Sequence, residues 1–90
     1  MEIISVIIPA YNEEDRIGAT INSLNKIKEV GEILVINDGS RDKTGEIAAE
    51  YGVKVINLPK NRGKAGAVME GVMRAKNDLV AVVDADLGDI

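Results

Sequence analysis

The chain has 90 residues, 46% of them hydrophobic and 29% charged, so it fits a single small folded domain over residues 1–90 and not a disordered segment. Its formal charge of -4, from 11 basic and 15 acidic residues, argues against a general nucleic-acid binder, which normally carries a basic face. The chain contains no cysteine and no histidine, which excludes disulfides, thiolate metal sites and imidazole ligands; any metal must be held by oxygen atoms.

Apolar runs of strand length alternate with helical patterns along the chain. We predict strands over residues 3–8, 33–36, 53–58 and 79–83, and helices over about 13–26, 42–51 and 65–76. This alternation predicts an α/β fold in which the strands form one parallel sheet.

The helical stretches carry start and stop signals. Asn12 fits the N-cap of the first helix, Ser40 or Asp42 the start of the second, and Gly52 the position after its end. Gly66 and Gly71 in the third helix predict close packing on the sheet or on a ligand. The inward positions are predicted to be Ile17, Ile21 and Leu24, then Ile47, Ala48 and Tyr51, then Val68, Val72 and Ala75.

The last apolar run is followed by two aspartates one residue apart. Residues 79–83 show no polar alternation, which predicts a strand buried on both faces with Asp84 and Asp86 emerging at its end. Paired carboxylates repel each other unless a cation is present, and Mg²⁺ or Mn²⁺ suits oxygen ligands shared with a substrate diphosphate. The alternative is a solvated turn, since aspartate is common after strands.

The connections of such a sheet place its loops. Right-handed crossovers with one reversal of winding predict the strand order 3-2-1-4, and ligands of doubly wound sheets bind beyond the carboxyl ends of the strands at that reversal. The segments after Ile8, Ile36 and Val83 should therefore line one crevice.

Three further side chains of this predicted crevice each have a functional and a structural interpretation. Asp38 can accept a hydrogen bond from a nucleobase, or simply initiate a turn before Gly39. Tyr11 can stack on a planar base, or cover the end of the sheet as part of the core. Glu13 can contact ribose or base, or act only as an acid in the first helical turn.

A basic loop over residues 60–64 leads into the third helix. Its cations and the free N–H groups of the helix start suit a phosphate, although a solvated basic turn is an equal alternative. The loop is not a P-loop, because Gly63-Lys64-Ala65 follows the third strand and lacks the hydroxyl residue. A Gly-x-Gly-x-x-Gly turn after the first strand is also missing, which disfavours a dinucleotide-binding domain.

The sequence contains no membrane-targeting pattern. No apolar run approaches about 20 residues, and the N-terminus lacks a basic segment followed by a long apolar stretch. We therefore expect no membrane span in this chain and a cytoplasmic location.

Four ordered segments together closely resemble the N-terminal nucleotide-binding half of family-2 glycosyltransferases, a group that includes the polyprenol-phosphate sugar synthases. They read SVIIPAYNEE at 5–14, INDGSRDKT at 36–44, NRGKAGA at 61–67 and VDADL at 83–87. The resemblance implies the three-layer, Rossmann-like GT-A fold and an inverting transfer from a nucleoside-diphosphate sugar, UDP- or GDP-linked, with Mg²⁺ or Mn²⁺.

The resemblance also implies roles for individual residues. Lys64 approaches the nucleotide from the third helix, Asp84 lies near the ribose and the metal, and Asp86 is the direct ligand of the cation on the diphosphate. Gly88 stands where several polyprenol-phosphate enzymes carry a side-chain metal ligand, so no third protein ligand is implied there. The residues implied around the base and ribose are Pro9, Tyr11, Glu13 and Asp38.

The resemblance places the acceptor-binding strands and the catalytic base beyond residue 90, so we predict no catalytic residue within this chain. We interpret the chain as the donor-binding portion of a glycosyltransferase, at the cytoplasmic membrane face if the acceptor is a lipid phosphate. A chain ending at Ile90 is expected to leave one sheet edge uncovered, which favours self-association.

Two other functions fit parts of the pattern. A nucleotide-binding or scaffold module without transfer activity is favoured by the missing acceptor half. A phosphohydrolase with Asp84 as nucleophile and Asp86 as general acid is disfavoured, because those enzymes carry the pair after their first strand.

Overall fold

Strands and helices alternate throughout the computed structural model, which describes residues 3–88. The elements are β1 (Ile4–Ala10), α1 (Ile17–Asn25), β2 (Val30–Asn37), α2 (Thr44–Glu50), β3 (Lys54–Asn57), α3 (Gly63–Arg74) and β4 (Leu79–Val82). The predicted α/β class is confirmed. Most boundaries differ by a few residues from those predicted, with the largest differences at the start of α1 and at the start of β2.

The four strands form one parallel sheet in the order β3-β2-β1-β4, as the connections predicted. Ile7 of β1 lies opposite Leu34 of β2 on one side and Val82 of β4 on the other. Ala10 and Asn37 are paired at the ends of β1 and β2, so these carboxyl ends are level. The chain reverses its winding between β1 and β4, where doubly wound sheets bind ligands.

The sheet is covered by helices on both faces, which makes three layers. Alternate residues of a strand point to opposite faces, so Val6 and Ile8 of β1 join the core beneath α1 and α2, while Ile7 joins the core beneath α3. The same alternation in β2 sends Val35 to the first core and Leu34 to the second. The apolar runs of both strands are therefore buried on both faces, as parallel strands between helices require.

The buried stripe of α3 differs from the predicted one. Val72 is 45% exposed, and the residues of this helix that are fully buried are Ala67 and Gly71. A Cβ atom on Gly71 would fall 2.5 Å from Ile7 Cγ2, so the helix approaches β1 through its small residues, while Val72 lies beside that contact. The predicted close packing on the sheet is confirmed for Gly71, whereas the atoms nearest an added Cβ on Gly66 belong to the Arg62 side chain.

Two predictions for the first two helices are wrong. Asn12 does not cap α1, which begins at Ile17 with Arg16 at its N-cap. Tyr51 is 39% exposed at the C-cap of α2, and its ring covers Gly18 of α1, where an added Cβ would fall 2.3 Å from the phenol oxygen. Because α2 ends at this position, the ring of Tyr51 packs between α1 and α2 and not into the core.

β4 is not buried on both faces. It pairs with β1 alone, and Leu79 and Val82 are 44% and 45% exposed, because β4 forms an edge of the sheet within residues 3–88. The self-association expected from this edge stays a prediction. None of the helices in the described range is both long enough and apolar enough to cross a membrane.

Candidate functional site

A cleft of about 430 Å³ opens at the carboxyl edge of the sheet, between the loops that follow β1, β2, β3 and β4. All seven residues implied from the sequence for donor or metal binding line this cleft. These residues are Pro9, Tyr11, Glu13, Asp38, Lys64, Asp84 and Asp86. Because the strands are parallel, segments far apart in sequence reach the same edge of the sheet, as expected for a switch-point site.

The loop after β1 is fastened to the loop before α2 through Asn12. Its backbone N–H donates to Ser40 Oγ at 3.0 Å, and its side-chain Oδ1 accepts the N–H of Arg41 at 2.8 Å. Asn12 has a φ of +55°, a left-handed conformation that asparagine tolerates better than most residues. Asn12 and Ser40, both predicted as helix caps, therefore bind two loops of the cleft to each other.

Thr44 and Asp42 complete this connection. The Glu13 N–H donates to the buried Thr44 Oγ1 at 2.8 Å, and the Glu14 N–H donates to Asp42 Oδ2 at 3.2 Å. Asp42 Oδ1 also accepts the N–H of Thr44, the first residue of α2, at 3.0 Å, although Lys43 and not Asp42 is the N-cap residue of that helix. The loop that carries Tyr11 and Glu13 is thus held by hydrogen bonds to the segment over residues 40–44.

The ionised form of Asp42 is the one that these bonds favour. Burial alone would raise the pKa of Asp42, but hydrogen bonds from the Thr44 hydroxyl and from the N–H groups of Thr44 and Glu14 outweigh burial and lower it. A carboxyl whose pKa is lower in the folded state stabilises the fold above its unfolded pKa, and that contribution is lost as the pH falls through the folded value.

We therefore expect Asp42→Asn to be less stable than the native chain at pH 7 by about 1 kcal/mol in free energy of unfolding, and to lose this deficit in acid. Urea denaturation at a series of pH values measures both. The gap between the two proteins should narrow as the pH falls below 3.8, the ordinary value of the group. Asp15→Asn, at an exposed carboxylate nearby, is the control, and a gap independent of pH would contradict the assignment.

Asp38 lies at the floor of the cleft directly after β2. It is 3% exposed, and its Oδ1 accepts the Arg62 N–H at 2.7 Å. No donor among residues 3–88 contacts its second carboxylate oxygen. Asp38 therefore fixes the loop before α3 and also lines the cleft.

Asn61 is a cleft residue that the sequence analysis missed. Its Nδ2 donates to the Asp38 carbonyl at 3.2 Å, and its Oδ1 accepts the Gly63 N–H at 3.0 Å at the start of α3. An asparagine two residues before a helix glycine is a common turn former, and that pattern was the available signal. Asn61 holds the basic loop against the end of β2.

Lys64 and Asp84 form an ion pair across the mouth of the cleft. Lys64 Nζ lies 2.7 Å from Asp84 Oδ1, and both side chains are 64% exposed. The hydrogen bond to Asp84, with the charges of Asp84 and Asp86, raises the pKa of Lys64 above its usual range. The lysine therefore stays a cation beside the paired carboxylates, where an anionic ligand would meet it.

The donor set of the cleft fits a hard divalent cation that shares its coordination with a ligand. Asp84 and Asp86 are exposed carboxylates lining one cleft, so their oxygens are accessible to a cation, although Lys64 already pairs with Asp84. No group of three or more acidic side chains that could cage a metal occurs in residues 3–88. Mg²⁺ and Mn²⁺ typically bind through one or two carboxylates together with substrate phosphate oxygens, so the two aspartates suffice.

The sequence of this chain matches known proteins over nearly its whole length. Residues 5–88 match the family described as Glycosyl transferase family 2. A dolichyl-phosphate beta-glucosyltransferase of Trichomonas vaginalis is 36% identical over 92% of this chain and 30% of its own length. A 4,4'-diaponeurosporenoate glycosyltransferase of Staphylococcus aureus is 37% identical over 93% of this chain and 24% of its own length.

Solved structures agree with these relatives. The glucosyl-3-phosphoglycerate synthase of Mycobacterium tuberculosis, in complex with Mn²⁺, uridine diphosphate and phosphoglyceric acid, matches with a TM-score of 0.82 and 30% identity, over 93% of this chain and 33% of that one. The same synthase was also solved with Mg²⁺ and uridine diphosphate. The chain spans a third or less of the length of each of these proteins.

Proposed function

The chain belongs to glycosyl transferase family 2, and from that membership we propose that it is the donor-binding part of an inverting glycosyltransferase that takes a nucleoside-diphosphate sugar. The observation that supports this most is the convergence of all the implied donor-binding residues on one cleft at the switch point of the sheet. A uridine-linked donor is supported by the uridine diphosphate in the similar synthase.

The base and ribose would lie at the end of the cleft formed by the loops after β1 and β2. Asp38 is buried with one oxygen available, so it can accept the N–H of a uracil without losing the Arg62 bond. Tyr11 is 44% exposed at the cleft mouth and offers its ring for stacking on the base. Pro9 and Glu13 line the same cleft, and Glu13 is proposed to contact the ribose.

The diphosphate would lie at the other end, against β4 and α3. Asp84 and Asp86 would hold the cation, which when bound offsets the negative charge that builds up on the departing nucleoside diphosphate. Lys64 supplies a second positive charge, and its exposed side chain can turn from Asp84 toward the diphosphate. These residues bind and orient the donor, and no catalytic base is assigned to them.

Transfer itself is proposed for the whole enzyme. In an inverting single displacement, the acceptor oxygen attacks the anomeric carbon from the face opposite the diphosphate, the glycosidic bond forms as the bond to the diphosphate breaks, and the acceptor proton passes to a base. The cleft holds the diphosphate side of that reaction. We propose a cytoplasmic location, at the membrane face for a lipid-phosphate acceptor of the kind named by the dolichyl-phosphate relative.

Calorimetric titration of the chain with nucleotides tests donor binding. We expect UDP to bind in Mn²⁺ or Mg²⁺ and much more weakly in EDTA, and uridine to bind with little dependence on metal because it lacks the diphosphate. GDP measured in parallel reports the base preference. Metal-dependent hydrolysis of a phosphate ester that Asp84→Asn abolishes, without UDP binding, would overturn the proposal in favour of a phosphohydrolase.

A further inference from the structure

The turn that carries Asp84 and Asp86 is anchored to α1, an element that contributes no side chain to the cleft wall. The Leu87 N–H donates to the Asp84 carbonyl at 3.2 Å, which closes the turn. Between the two aspartates Ala85 is 4% exposed and packs into the core beneath α1 and α2. Gly88 ends the segment with a φ of +66°, in the left-handed region that favours glycine.

One hydroxyl connects both ends of this segment. Thr20 is fully buried, and its Oγ1 lies 2.7 Å from the Ala85 carbonyl and 2.7 Å from the Gly88 N–H. A threonine hydroxyl has one hydrogen to donate and lone pairs to accept with, so it donates to the carbonyl and accepts from the N–H. The Arg16 carbonyl, at 3.1 Å, is the more distant alternative acceptor.

A second hydroxyl, one helical turn further along α1, completes the attachment. Ser23 is 4% exposed, and its Oγ donates to the Gly88 carbonyl at 2.9 Å. Both backbone groups of Gly88 are therefore bound by α1, across more than 60 positions of sequence. Backbone groups that are partly buried need such partners, and Thr20 and Ser23 supply them where the chain has left the sheet.

Holding this turn matters because its two carboxylates repel each other. Without a cation, an unrestrained turn would relax by moving the charged side chains apart, and metal binding would then have to pay the cost of ordering it. A turn whose backbone is bound on both sides limits this movement before a cation arrives. Groups that orient metal ligands in this way affect metal affinity without touching the metal.

We propose that Thr20 and Ser23 are positioning residues for the cation-binding carboxylates Asp84 and Asp86. This inference rests on the proposed function, because it assigns a task to α1 only if the two aspartates bind a cation. It predicts that loss of the Thr20 hydroxyl weakens metal binding more than it weakens the metal-independent binding of nucleotide.

The test compares Thr20→Val, which keeps the shape of the side chain and removes the hydroxyl, with Thr20→Ser, which restores it. Mn²⁺ alone is titrated into the isotope-labelled chain, and the paramagnetic broadening of the amide signals of residues 84–87 gives its affinity. We expect Thr20→Val to bind Mn²⁺ about 10-fold more weakly, and Thr20→Ser to return most of the affinity. The affinity for UDP in EDTA should be unchanged in both.

Ser5→Ala is the matched control, because Ser5 is also fully buried but donates to Glu32 Oε1 at 2.6 Å near the start of β1, away from the cleft. It should destabilise the chain without altering Mn²⁺ affinity. Native Mn²⁺ affinity in Thr20→Val, or an equal loss in Ser5→Ala, would overturn the inference alone. If Thr20→Val does not fold, Ser23→Ala carries the same expectation.

A native chain whose residues 84–87 do not respond to Mn²⁺, either alone or with UDP present, would give a different result from either of these. It would show that the aspartates bind no cation, and it would overturn the proposed metal role together with the inference. The two failures are therefore told apart by the native titration.

Discussion

Asp86→Ala is expected to abolish the metal dependence of UDP binding. In Mn²⁺ its affinity for UDP should fall about 100-fold, to the value of the native chain in EDTA, and in EDTA the two proteins should bind UDP equally. The reason is that Asp86 is the proposed direct ligand of the cation, and the other carboxylate at this end of the cleft, Asp84, is already paired with Lys64. Calorimetric titration in both buffers measures the four affinities.

Asp78→Ala is the matched control for this experiment. Asp78 is an exposed aspartate just before β4, so the control removes the same charge at the opposite end of the same strand. Its metal dependence should equal that of the native chain, which would rule out an effect of net charge. An Asp86→Ala chain that still binds UDP more tightly in Mn²⁺ than in EDTA would reject Asp86 as the cation ligand.

The two aspartates differ in their surroundings, and this difference makes Asp86 the more informative one to substitute. Asp84 pairs with Lys64 at 2.7 Å, whereas no cationic group within residues 3–88 lies within 4.0 Å of Asp86. A cation that binds Asp84 therefore competes with an ammonium group already there, while at Asp86 it competes only with water. Removing Asp86 removes the ligand with the least compensated charge.

The strands and their order in the sheet could be predicted because two features determine them. Strand-length apolar runs in β1 and β2 have no polar alternation, and the handedness of crossovers leaves one economical strand order. The buried stripe of α3 was not predictable in the same way. Hydrophobicity predicts that Val72 and not Gly71 faces the sheet. The helix lies so close to Ile7, however, that only a residue without a side chain fits at the contact.

The residues of the candidate site also fall into two groups, those that could be predicted from the sequence and those that could not. Side chains that follow strand ends, such as Asp38 and Asp86, could be located from topology because parallel strands bring their ends together. The residues that hold those loops could not. A threonine on an apolar helix face, such as Thr20, looks like ordinary core until its partner 65 positions away is known.

Asp38 is the residue for which support of the fold and recognition of the nucleotide coincide, and two substitutions separate them. Asp38→Ala removes the carboxylate oxygen that accepts the Arg62 N–H at 2.7 Å, at a position that is only 3% exposed. We expect a loss of about 2 kcal/mol in free energy of unfolding, because the lost bond was made to a charged group. In a domain of this size that lowers the melting temperature by roughly 10 °C.

Asp38→Asn keeps an oxygen for the Arg62 N–H but replaces the second acceptor by an amide donor, which opposes the N–H of a uracil. Its stability should stay within about 1 kcal/mol of native, while its affinity for UDP should fall roughly 10-fold or more, equally in Mn²⁺ and in EDTA. Thermal unfolding and calorimetry give the two quantities. Native UDP affinity in Asp38→Asn would show that Asp38 only supports the loop before α3, because the bond it makes there would be intact and nothing else would have been lost.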